Sequence, residues 1–80
     1  MMIVTILTFG IAKDIIGKQK LNFEVGKDTT TKQLKKILCS KYKRLSTIPF
    51  LLAVNAAHAK DKTILKDGDE VAIIPPTNGG

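Results

Sequence analysis

Residues 70–75, EVAIIP, form a short apolar run that stops at a proline. A run of this length with β-branched residues is typical of a buried strand, and Pro75 ends the pairing because proline has no N–H to donate to a sheet. The other strongly apolar run, residues 2–9, MIVTILTF, lies at the opposite end of the chain. We predict a strand here that is buried on both faces. Two such strands fit best in the middle of one sheet.

Residues 28–45, DTTTKQLKKILCSKYKRL, predict the main helix. Thr30 is a suitable N-cap, and Gln33, three residues later, completes a capping box. The predicted apolar stripe consists of Leu34, Ile37 and Leu38, and most of the lysines fall elsewhere, as an amphipathic helix on one sheet face requires.

Two further strands complete the sheet. Residues 19–25 alternate between apolar and polar side chains, which predicts a half-buried strand antiparallel to the first. Residues 50–55, FLLAVN, predict a third strand, followed by a loop with room for one short strand. The order β-β-α-β-(β)-β predicts an α+β roll of the β-grasp, or ubiquitin-like, kind, with a mixed sheet of four to five strands on one main helix. We place the domain at residues 1–75 and an extended tail at 76–80.

Composition narrows the class of protein. The 80 residues hold a single cysteine, so an intrachain disulfide is impossible and a reducing, cytoplasmic location is expected. The net charge is +6, and six of the 13 basic residues fall within positions 32–44. A basic nucleic-acid-binding module is therefore one reading, but a solvated lysine-rich helix face is the more ordinary one.

No catalytic or metal-binding constellation is apparent. His58 is the only histidine and has no serine or cysteine near it in sequence, whereas a general base needs a nucleophile and an orienting group. Cys39 falls on the flank of the helix stripe. Asp67, Asp69 and Glu70 do not match a calcium loop and predict a charged turn or part of a docking surface. We predict no metal site and no permanently bound cofactor.

The tail is the candidate functional segment. Pro75 and Pro76 favour an extended conformation, and the next two residues, Thr77 and Asn78, continue it. Gly79 and Gly80 have no Cβ, so their backbone fits a narrow channel. We predict that Gly80 presents its carboxylate to another protein for activation as an acyl-adenylate. The alternative is a frayed terminus whose glycines indicate only disorder.

The ending LKDGDEVAIIPPTNGG, residues 65–80, resembles the MoaD/ThiS family of sulfur carriers, and LLAVN, residues 51–55, resembles the strand before it. The double proline is more similar to the molybdopterin branch than to the thiamine branch. The resemblance implies a small sulfur carrier subunit of molybdopterin synthase. In that family an E1-like adenylyltransferase uses ATP to adenylate the terminal glycine, here Gly80, and sulfur from a donor protein then gives a thiocarboxylate.

The resemblance also implies partners. The tail enters the large subunit, which holds the catalytic residues, and sulfur passes to cyclic pyranopterin monophosphate in molybdenum cofactor biosynthesis. Two small and two large subunits form a heterotetramer in this family. We expect docking beside the final strand, with Phe50 and Ile74 as candidate contacts, although core packing is an equal alternative for both. The basic helix departs from a family whose members are often neutral or acidic.

Three alternatives stay open at this point. The same activated carboxylate serves carriers for thiamine synthesis or tRNA thiolation, and ubiquitin-like modifiers that are joined to lysines. The third alternative is the nucleic-acid-binding module, which predicts binding that weakens steeply with salt.

Overall fold

The computed structural model describes residues 2–58, 60 and 62–75. The predicted tail, residues 76–80, lies outside them. The elements are β1 (Met2–Thr8), α1 (Gly10–Ile16), β2 (Lys20–Val25), α2 (Thr31–Lys41), a 3-10 helix (Lys43–Thr47), β3 (Leu51–Val54), β4 (Ala57–His58) and β5 (Glu70–Ile74). This order confirms the predicted β-grasp arrangement.

The described strands form a five-stranded mixed sheet in the order β2-β1-β5-β3-β4. β1 and β5 lie in the middle of the sheet, as predicted, and the structure shows that they are parallel neighbours; β1–β2, β3–β5 and β3–β4 are antiparallel. Thr8 pairs with Ile73, so β1 and β5 end at the same edge of the sheet. The polypeptide that follows Pro75 therefore leaves from the centre of this edge.

Helix α2 begins with the predicted capping box. The N–H of Gln33 donates to Oγ1 of Thr30 at 3.2 Å, and the N–H of Thr30 donates to Oε1 of Gln33 at 2.9 Å. Leu34 and Leu38 are fully buried, but Ile37 is 41% exposed, so its place in the predicted stripe was wrong. Thr31 takes the third buried position of α2, and its hydroxyl donates to the carbonyl of Lys60.

The core lies on one face of the sheet. Val4 and Ile6 of β1 and Val71 and Ile73 of β5 are fully buried against α2 and the 3-10 helix. The prediction that β1 is buried on both faces was wrong, since Ile3 is 50% exposed. The helices cover only the face that carries the core, so the apolar side chains on the opposite face remain accessible.

Candidate functional site

The uncovered face of the sheet, which we call the open face, contains an apolar depression of about 380 Å³. Ala72 of β5 lies at its centre, paired with Leu7 of β1 on one side and Ala53 of β3 on the other. The alanines that line the depression carry only a methyl group beyond the backbone, whereas the other lining side chains are larger, and this difference creates the concavity. The lining residues are Leu7, Phe9, Ala53, Ala56, Glu70, Ala72 and Ile74.

Large apolar side chains on the open face are exposed near the end of β5. Leu51 is 59% exposed and pairs with Ile74, and Phe9, which follows β1, is 46% exposed. Leu52 and Ile73 are buried on the opposite face, so strand alternation places Leu51 and Ile74 on the open face. Contiguous exposed apolar surfaces are typical of contact sites for proteins, membranes or ligands.

Pro75, the residue after β5, lies at the edge of this surface between Gly10 and Leu51. A Cβ added to Gly10 would lie 3.6 Å from Cγ of Pro75, so the backbone of Gly10 packs beside the proline ring. Gly10 has φ +54°, in the region that favours glycine. Pro75 is half-buried at this point. The last described residue is therefore held by packing at the edge of the open face.

The acidic turn before β5 is structural. Oδ1 of Asp69 accepts from Nδ2 of Asn55 at 3.0 Å, and its Oδ2 accepts from the N–H of Lys66 at 2.8 Å. Oδ1 of Asp67 accepts from the N–H of Ile3 at 2.8 Å. These bonds fix the start of β5 against β3 and β1. The prediction of a charged turn is therefore confirmed, with a bonding role for both aspartates.

Sequence reasoning missed Asn55. It follows β3 with φ +51°, and its side-chain Oδ1 accepts from the N–H of Glu70 at 2.9 Å. Its own N–H donates to the carbonyl of Glu70 at 2.7 Å. The available signal was an asparagine at the end of an apolar run, because asparagine tolerates positive φ and bonds to nearby backbone.

The two predicted docking residues lie in different surroundings in the structure. Ile74 is half-buried and lines the open face, whereas Phe50 is 4% exposed and belongs to the core. Packing, the alternative considered for Phe50, is therefore what the structure shows. Pro75 is described, but the other predicted tail residues lie outside the described part of the chain; these are Pro76, Thr77, Asn78, Gly79 and Gly80.

The remaining candidates do not form a site. Cys39 is a free cysteine that is partly buried and packs against the core. His58 lies in β4, where its backbone pairs with Ala53. Within residues 2–58, 60 and 62–75, no group of three potential metal ligands is found. The helices in this part of the chain are also too short or too polar to cross a bilayer.

The fold and sequence have clear relatives. The chain is 36% identical to the molybdopterin synthase sulfur carrier subunit of Caenorhabditis briggsae, over 100% of both chains. It is 34% identical to the subunit of the same name from Chlamydomonas reinhardtii, over 96% of this chain and 98% of the relative. A structure of the complex of subunits 1 and 2 of molybdopterin-converting factor from Helicobacter pylori contains a similar chain, with a TM-score of 0.68 and 28% identity, over 99% of this chain and 100% of that one.

These similarities extend over the whole fold. The ThiS family matches residues 6–80, a span that includes every strand from β2 to β5, the last three residues of β1 and the sequence of the predicted tail. The protein therefore belongs to the ThiS family of β-grasp proteins.

Proposed function

We propose that this protein is the sulfur carrier subunit of molybdopterin synthase. The observation that carries the proposal is its identity of 34–36%, over nearly the full chain, to two subunits of that name. The ending PPTNGG supports it, because it offers a carboxylate on a segment without bulky side chains. The residues that the structure describes form the β-grasp domain to which this segment is attached.

The proposed chemistry takes place at Gly80. Its carboxylate attacks the α-phosphate of ATP on an E1-like adenylyltransferase, which gives a glycyl adenylate and releases pyrophosphate. Sulfur at the oxidation level of sulfide, delivered by a donor protein, then attacks the glycyl carbonyl carbon and displaces AMP, so that a carbon–sulfur bond replaces the carbon–oxygen bond to AMP. The resulting thiocarboxylate supplies sulfur to cyclic pyranopterin monophosphate. ATP is a substrate of the activating enzyme, and the carrier holds no cofactor of its own in this proposal.

The fold suits a carrier because it fixes one end of the tail. β5 is paired on both sides, so the strand that leads to the tail is held by two ladders of backbone hydrogen bonds. Five residues beyond Pro75 reach on the order of 15 Å when extended. This reach is enough to place a terminal carboxylate inside a second protein while the domain stays at its surface.

We propose that the open face contacts the large subunit of molybdopterin synthase. The exposed side chains of Phe9 and Leu51 lie where the tail departs, so a protein that receives the tail meets them first. The Helicobacter pylori complex of subunits 1 and 2 supports a two-subunit assembly of this kind. The proposed assembly is a heterotetramer of two carriers and two large subunits.

The test is reconstitution with purified components. The protein is incubated with ATP, its activating enzyme and a sulfur donor, and the intact chain is weighed. The expected result is the mass gain of one oxygen-to-sulfur exchange, followed by its loss when the large subunit and cyclic pyranopterin monophosphate are added. An isopeptide adduct on lysine would instead identify a protein modifier. Sulfur transfer to a thiamine precursor or to tRNA, without pterin product, would also overturn the proposal.

A further inference from the structure

Helix α2 carries a group of lysines around a shallow cavity of about 330 Å³. Lys32, Lys35 and Lys36, which we call the lysine cluster, line this cavity together with Cys39. The spacings of three and four residues place the three lysines on one side of the helix. Lys32 and Lys36 are exposed, and Lys35 is partly buried. The cluster is separate from the open face, since α2 packs on the opposite face of the sheet.

Helix α2 and the segment that follows it contain basic residues but no acidic ones. The sequence contains no aspartate or glutamate from position 29 to position 60, and seven basic residues fall in that span. Lys32 and Lys36 are four residues apart, a spacing at which like charges destabilise a helix. Lys32 also lies in the first turn of α2, where the helix dipole disfavours a positive charge. Lys32 and Lys36 therefore oppose the stability of their own helix, so a stabilising role does not account for these two side chains.

Lys35 links the cluster to the end of the domain from which the tail departs. Its Nζ donates to the carbonyl oxygen of Phe50 at 2.9 Å and lies 4.8 Å from the centre of the Phe50 ring. Phe50 comes one residue before Leu51, and Leu51 pairs with Ile74, one residue before Pro75. One ammonium group of the cluster is thus fixed beside the strand that flanks the base of the tail.

We propose that the lysine cluster is a second contact site for the large subunit and binds an acidic surface beside the pocket that receives the tail. This inference rests on the proposed function. The tail reaches only on the order of 15 Å beyond Pro75, so the receiving protein must lie against this end of the domain. Carboxylates on that protein are the complementary partner for three ammonium groups that have no acidic neighbour along their own helix.

A protein partner fits this surface better than a nucleic acid. Single-stranded nucleic acids are held by aromatic side chains that stack on bases as well as by cations. The aromatic ring next to the cluster belongs to Phe50, which is 4% exposed and has Lys35 over its face. Three lysines without a stacking platform give only a weak, salt-sensitive contact with phosphates, whereas they suffice to steer and orient a protein that the tail also anchors.

The experiment compares two double variants that carry the same net charge. K32Q/K36Q removes the two exposed lysines of the cluster and leaves Lys35 in place. K27Q/K66Q removes two exposed lysines at the end of the sheet opposite the tail, one after β2 and one before β5. Affinity for the purified large subunit is measured by isothermal titration at several salt concentrations. Circular dichroism checks that both variants are folded, and K32R/K36R tests for rescue by charge.

We expect K32Q/K36Q to weaken binding about 10-fold at low salt and to flatten the salt dependence, with K27Q/K66Q within about 2-fold of the wild type. K32R/K36R should bind like the wild type. Equal losses in both glutamine variants would show an effect of total charge and would overturn the inference. An unchanged affinity of K32Q/K36Q for the large subunit would also overturn the inference. The same holds if K32Q/K36Q loses binding to a single-stranded RNA oligonucleotide but binds the large subunit as the wild type does. Failure of the wild-type protein to bind the large subunit would refute the proposed function itself and the inference with it.

Discussion

Asn55 and Asp69 are joined by a hydrogen bond of 3.0 Å from Nδ2 to Oδ1, across 14 residues of sequence. The same asparagine exchanges two further bonds with the backbone of Glu70, at 2.7 Å and 2.9 Å. Together they connect the end of β3 to the start of β5, the strand that leads to the tail. Asp69 also accepts from the backbone of Lys66, so the turn and both strands depend on one small network.

Replacing Asn55 with alanine should lower the free energy of unfolding by about 2–3 kcal/mol. The change removes the side-chain bonds to Asp69 and Glu70, worth about 1 kcal/mol each. It also places alanine at φ +51°, which costs roughly 1 kcal/mol more. Urea denaturation followed by circular dichroism measures the loss.

Asn55→Gly is the matched control, because glycine also lacks the side-chain bonds but adopts positive φ without strain. The glycine variant should be about 1 kcal/mol more stable than the alanine variant. Equal stability of the two variants would show that the backbone at this position is not held in the positive-φ conformation. Wild-type stability in Asn55→Ala would show that the network does not hold β5.

The one-sided core predicts that neighbouring isoleucines differ in their contribution to stability. Ile73 is fully buried, and Ile74 is half-buried on the open face. Ile73→Ala should cost about 2–5 kcal/mol because it leaves a cavity in the core. Ile74→Ala should cost about 1 kcal/mol or less. Thermal and chemical denaturation of the two variants provide the comparison, and similar losses would mean that both faces of β5 are buried.

The predicted features that the structure confirms are those fixed by local chemistry. Thr30 and Gln33 could be assigned to a capping box because the box depends on residue types three positions apart. The apolar runs at the two ends of the chain indicated central strands, and β1 and β5 are central and adjacent. These signals require no knowledge of what packs above or below the sheet.

The errors arise where tertiary packing decides. Ile3 and Val4 are equally apolar in sequence, but only Val4 faces the helices, so Ile3 is left accessible. Ile37 is exposed for a similar reason, because the buried side of α2 runs through Thr31, Leu34 and Leu38. An apolar run in the sequence does not indicate whether the second face of the resulting strand contacts a helix, solvent or another protein. In this family member the uncovered face is where we propose that a partner binds.

A charge on the open face should block assembly without unfolding the domain. Leu51→Asp should weaken binding of the large subunit by about 10-fold or more, because it places a carboxylate in the apolar surface beside the tail. Leu51 is 59% exposed, so little core packing is lost. Isothermal titration measures the affinity, and circular dichroism checks the fold.

Ile64→Asp is the control for that substitution. Ile64 is also a large apolar residue, 55% exposed, but it lies in the bridge to Thr30 and does not line the open-face depression. Its variant should bind the large subunit like the wild type. Equal weakening by both substitutions would argue against a specific role for the open face.

The tail should tolerate bulk at one position and not at another. Gly79→Val should reduce thiocarboxylate formation and sulfur transfer by about 100-fold or more, since a β-branched side chain restricts the backbone next to the reacting carboxylate and widens the segment that must enter a pocket. The core residues that the structure describes are unchanged by this substitution, so the thermal unfolding midpoint should equal that of the wild type.

Thr77→Val introduces the same residue two positions earlier, where it replaces a side chain of similar size, and should retain most of the activity. Intact-mass analysis of the thiocarboxylate and assay of the pterin product measure both steps. Full sulfur transfer by Gly79→Val, or by a chain lacking Gly80, would show that the terminal glycines do not carry the sulfur.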